Sequence, residues 1–179
     1  VDRDLDSFAL YCLAAEIRPT EILRVLGLIE RRLAEDSTNA ETHLYKGALL
    51  ARLGLEVQDP AQVQRFLETG IGIMRAMEPV TPMRSLAHLR MLYARGTTQV
   101  MLPVPPMTGQ EMHEGIARIL KHPGFGQLHG TRRAVVIGMQ AHLLKQQGQD
   151  RMAARLWHAA TRIEKRIRGF PDAPPQIIL

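Results

Sequence analysis

The side chains best able to do chemistry in this chain are soft or titratable: seven His, nine Met and one Cys among 179 residues. His122 and His129 flank a Gly- and Pro-rich loop, and Met101, Met107, Met112 and His113 bracket the Pro-rich turn at residues 102–107. Thioether and imidazole together suit copper. The spacings do not support it, because no compact His-x-x-x-His or Cys-x-x-Cys pair occurs. Methionine is also a common filler of irregular helical cores. The residues therefore assign no metal and no cofactor. Cys12, within Leu10-Tyr11-Cys12-Leu13-Ala14, reads as an inert core thiol, and a single cysteine forms no internal disulfide.

Nucleophilic and phosphate chemistry find no better footing. The chain has no nucleophile elbow, Walker loop or Rossmann glycine pattern. His122-Pro-Gly-Phe-Gly follows a predicted helix rather than a strand, so its glycines do not frame a phosphate cradle. Asp2, Asp4 and Asp6 gather near a helix start, where negative charge is favoured. They read as partners of surface Arg residues, not as an acid–base pair. The expectation is a protein with no catalytic residues that is not an enzyme.

The elements that must position the remaining side chains are helices. Aromatic residues make up only 4% of the chain, and Leu, Ala, Arg, Met and Ile, which cost little in a helix, dominate. Prolines and glycines cut the sequence into eight helix-sized segments, near residues 4–17, 19–34, 40–53, 60–77, 83–100, 108–121, 131–147 and 150–168. Asp59-Pro60 reads as a cap followed by a first-turn proline. Thr108 with Glu111 reads as a capping box. Residues 1–170 form one expected domain, and residues 171–179 an extended Pro-rich tail. No run of about 18 apolar residues occurs, so no membrane insertion is expected of this segment. The chain opens on Val1, which suggests a soluble segment trimmed or excised from a longer protein, cytoplasmic or periplasmic.

Charge is divided along the chain. Residues 1–41 hold five Arg against nine Asp and Glu, while residues 131–168 hold nine Lys and Arg against two acids. Arg151, Arg155, Arg162 and Arg166, spaced by four, seven and four, would lie along one helix face. No aromatic residues interleave with them, which disfavours nucleic acid. An acidic partner protein fits better, as does salt-dependent pairing with the chain's own acidic start around Asp2, Asp4, Asp6 and Glu16.

The last two helices resemble the second half of a tetratricopeptide repeat. Gly148 closes one helix, and Ala153, Trp157 and Ala160 follow at the family's small, aromatic and small positions. Such residues belong where two helices cross closely with a large side chain beside the crossing. The pair that begins at Asn39 matches through Gly47, Leu50 and Gly54, but His43 and Lys46 replace the family's aromatic and Leu. The resemblance implies about four antiparallel helix pairs stacked as an all-α, right-handed solenoid whose concave face binds a protein or peptide. Candidate lining residues are His43, Lys46, Arg52, His88, Arg95, Gln140, His142 and Lys145. It implies an adaptor or chaperone. A related resemblance, carried by Leu156-Trp157, is to the helical-repeat domain of bacterial cytochrome c assembly factors, which hold apocytochrome. A self-assembling scaffold is the third reading.

Overall fold

A computed structural model describes residues 5–17, 19–77, 82–102 and 108–177. Eight α-helices carry the described residues: α1 Ser7–Cys12, α2 Ile22–Glu35, α3 Ala40–Glu56, α4 Pro60–Met77, α5 Leu86–Met101, α6 Gly109–Lys121, α7 Gly130–Gln146 and α8 Asp150–Ile163. A π turn at Leu13–Ile17 prolongs α1, and 3-10 turns lie at Pro19–Glu21 and Phe125–Gln127. The fold is all-helical apart from one short ladder, β1 Ile167–Arg168 with β2 Gln176–Ile177, which pair antiparallel. The chain divides into two compact units, Val1–Thr98 and Gln99–Leu179.

The capping chemistry explains most helix starts. The Asp6 carboxylate accepts from the Ala9 N–H, and the Asn39 side chain accepts from the Thr42 N–H at 2.9 Å. Asp59 accepts from the Ala61 N–H just where Pro60 opens α4. Thr108 and Glu111 exchange the two bonds of a capping box, 3.1 and 2.9 Å. Gly148 ends α7 at φ 74°, with its own N–H on the Lys145 carbonyl and the Gln149 N–H on Leu144. That is the left-handed closure in which glycine avoids a Cβ clash.

In the first unit, α3 and α4 form an antiparallel hairpin. Gly47 lies against Gly70, and Gly54 against Phe66 and Leu67. Gly54 does not end α3, as the sequence suggests; the helix runs two residues further, to Glu56. The reason is packing: Gly54 is buried, and a Cβ there would sit 3.3 Å from Leu67. Phe8, Tyr11, Tyr45 and Tyr93 meet at the centre of this unit, with ring centroids 5.5–6.5 Å apart. Tyr11 bonds the Ala94 carbonyl at 3.2 Å, Tyr93 donates to Glu16 at 2.6 Å, and Tyr45 donates to Glu41. Burial raises the Tyr45 and Tyr93 hydroxyls well above the usual phenol range, and those glutamates add to it.

In the second unit, α7 and α8 form the corresponding hairpin, with Gly130 of α7 beside Ile163 of α8. Here α8 stops at Ile163, five residues short of the expected 168. The Glu164 carboxylate accepts from the Arg166 backbone and side chain and from the Thr131 hydroxyl, all at 3.0 Å, and so turns the chain. The tail then folds back. Gly169, at φ 112°, lies against the Ala173 and Pro174 carbonyls, and Ile167 and Pro175 pack over Gly138 of α7.

The hydrogen bonds from Arg166 and Thr131 pull the Glu164 carboxyl down from 4.5 to about 2. The folded chain therefore holds the ionised form more tightly than the unfolded chain does. The stabilisation is complete above 4.5 and is lost as pH falls from there toward 2. Melting temperature should drop more steeply for the native chain than for Glu164→Gln between about pH 5 and about pH 2.5. Parallel pH profiles would remove Glu164 from the turn.

Candidate protein-binding surfaces

Of the eight predicted lining residues, five lie in the first unit and three in the second. His43 is half-buried with Nε2 2.9 Å from the Ser37 carbonyl, and Lys46 pairs with Glu30 at 2.9 Å. Arg52 is tied inward. It donates to the Thr98 hydroxyl at 3.1 Å and the Ala15 carbonyl at 3.0 Å, and its guanidinium lies 5.9 Å from the centre of the Tyr11 ring. His88 and His142 are buried. Burial keeps the His142 imidazole below the usual histidine range, against the pull of the Pro171 carbonyl. Arg95 and Gln140 are half-buried, and Lys145 pairs with Asp150 at 2.8 Å. Arg52 thus turns inward and His88 and His142 belong to the interior, because α3, α5 and α7 are packed on more than the one face that their stripes suggest.

Gly47 lies against Gly70, Gly148 turns the chain after α7, and Ala153 and Ala160 of α8 are fully buried. Trp157 is half-buried. It stacks on Phe170 at 5.0 Å and packs beside Ala134, Ala160 and Ile167. The returning tail supplies a partner that helix periodicity could not reveal. On α8, Arg151, Arg155 and Arg162 are exposed, but Arg166 lies beyond the helix end and pairs with Glu164. The basic stripe therefore loses its fourth expected member. Of the acidic start, Asp6 caps α1 and pairs with Arg90 at 3.3 Å, and Glu16 accepts from Tyr93. Asp2 and Asp4 fall outside the described residues, as does most of the 102–107 turn.

One feature of the first unit escaped the sequence reading. A groove of about 740 Å³ opens between α1, α2 and α3. Leu28 is half-buried along it and Leu10 is sealed beneath its floor, while Arg31, Arg32, Glu35 and Asp36 stand along α2 and just beyond it. Arg32 is held in place by the Leu5 carbonyl and by the Ser7 hydroxyl at 3.2 Å, and Ser7 also accepts from Thr42 at 3.0 Å. The Thr38 hydroxyl and N–H keep the Asp36 carboxyl below its ordinary value. Arg31 and Glu35 are exposed, and neither has a hydrogen bond or ion pair among the described residues. The groove thus offers both signs of charge beside Leu28. Among the described residues no three His, Cys, Asp or Glu side chains gather as metal ligands would, and no helix is long and apolar enough to cross a membrane.

Comparison with known proteins returns no matching family model, no matching curated protein and no matching solved structure.

Proposed function

We propose that the chain is a non-catalytic protein-binding domain of tetratricopeptide-like construction, which holds a segment of another protein in the groove between α1, α2 and α3. The hairpins α3–α4 and α7–α8 support the repeat-like part of the reading, since both cross at small residues. The observation that carries the binding part is the groove itself. It has the size of an ordinary ligand site, with unanswered Arg31 and Glu35 beside the half-buried Leu28. Self-assembly through the acidic start is less favoured, because Asp6 and Glu16 already have partners within the first unit. The cytochrome assembly reading rests on Leu156-Trp157, and Trp157 serves packing against Phe170.

The test is a photo-crosslinking amino acid placed in turn at Arg31, Glu35 and Gln62 in the source cells, Gln62 being an exposed control on α4. The expected result is one defined protein adduct from positions 31 and 35 and none from position 62. Equal labelling at all three positions, or none at 31 and 35, would remove the groove as the binding site.

A further inference from the structure

The outer side of α8 carries two parallel rows. Arg151, Arg155, His158 and Arg162, spaced four, three and four, form an exposed basic row. Met152, Leu156, Ala159 and Ile163, with the same spacing, form a second row about 100° round the helix. It lies between the basic row and the buried Ala153–Ala160 face. Met152 and Ile163 are 54% and 43% exposed, and Leu156 and Ala159 are half-buried. Ile167 and Pro175 pack over α7 at Gly138.

We propose that this flank of α8 accepts one further helix from a partner protein, amphipathic and acidic on the edge that faces Arg151, Arg155 and Arg162. The proposal rests on the protein-binding reading but concerns the second unit alone. Three observations select the occupant. First, Ala159 sits in the middle of the apolar row, where a small residue lets a second helix approach to about 8–10 Å. Second, the three guanidiniums have no carboxylate among the described residues, whereas their neighbours Lys145 and Arg166 are answered by Asp150 and Glu164. Third, the rows run together over three turns, about 18 Å, the length of a docked helix segment. A membrane-binding face would carry Trp or Phe on the apolar row, which holds Met, Leu, Ala and Ile. Nucleic acid would leave that row without a use.

The probe is a labelled synthetic helix with Glu at four, three and four spacing beside a Leu row, titrated with the full chain by fluorescence anisotropy. Parallel titrations use a Lys version of the peptide, phosphatidylserine vesicles and a DNA duplex. The expected result is saturable binding of the Glu peptide that weakens about tenfold or more from about 50 mM to about 500 mM salt. Arg155→Glu with Arg162→Glu should weaken it at least about tenfold and let the Lys peptide bind instead, as direct charge pairing requires. Ala159→Phe should abolish binding with all charges intact. An unchanged melting curve shows that each variant is folded. Absence of binding to the Glu peptide overturns the proposal. So does unchanged affinity in the double charge variant, or tighter binding of vesicles or duplex than of the peptide. Crosslinking at Arg31 and Glu35 reads the other unit, so either result can fail alone.

Discussion

Gly70→Ala is expected to destabilise the first unit by about 2–3 kcal/mol, near the upper end of overpacking costs. A Cβ at residue 70 would lie 2.6 Å from the Ala51 backbone nitrogen and 2.9 Å from the Ala51 Cβ, and would also meet the Gly47 carbonyl oxygen. Two of these three obstacles are backbone, so no rotamer change relieves them. The hairpin α3–α4 must part. The better helix propensity of alanine, about 1 kcal/mol, offsets only part of the cost. Gly47→Ala should behave alike, since its Cβ would meet the Gly70 carbonyl at 2.8 Å and Ile73 at 2.9 Å. Two residues from the crossing the sign should reverse. Gly72 is exposed, with nothing within 4 Å of its would-be Cβ, so Gly72→Ala should stabilise by about 0.5–1 kcal/mol. Denaturant melts of the three variants check this. Equal effects at positions 70 and 72 would place the helix crossing elsewhere.

Tyr11→Ala should cost about 3–5 kcal/mol, as loss of a fully buried aromatic does. Tyr11 is fully buried and stacks on Tyr45 at 5.5 Å. Its hydroxyl lies 3.2 Å from the Ala94 carbonyl and 3.2–3.3 Å from the Thr97 and Thr98 hydroxyls. It thereby joins α1 to α5 residues within the first unit. Tyr11→Phe keeps the ring and loses only those bonds, at an expected cost of about 1 kcal/mol. Unfolding measurements on the pair separate packing from hydrogen bonding. A Phe variant as unstable as the Ala variant would show that the hydroxyl network, not the stacked rings, holds this core.

Local chemistry made much of the architecture legible. Asp59-Pro60, Thr108 with Glu111 and Gly148 each act within a few residues of themselves, and each sits at the predicted helix end. What stayed hidden depends on elements meeting from afar. In Thr69-Gly70-Ile71-Gly72, both glycines lie mid-helix, and only the register of α3 against α4 decides which is crowded. The residues Glu164, Lys165 and Arg166 are all good helix formers, yet α8 ends before them. There the carboxylate of Glu164 is shared between Arg166 and Thr131 of α7. Trp157 finds Phe170 only because the tail turns back.

The candidate sites divide in the same way. Arg151, Arg155 and Arg162 are readable because a helical spacing puts them on one exposed face. Arg31 and Glu35 carry no signal in the sequence, since the groove beside them exists only where α1, α2 and α3 converge. His88 and His142, candidate lining residues by the repeat resemblance, are buried.

The claim that this chain holds a protein segment between α1, α2 and α3 is tested most directly by amide hydrogen exchange. The chain would be measured alone and with a synthetic peptide of the segment crosslinked through residue 31. Slower exchange confined to α1, the second half of α2 and the start of α3 is the predicted result. Unchanged exchange there, or protection that appears only on other helices, would contradict it.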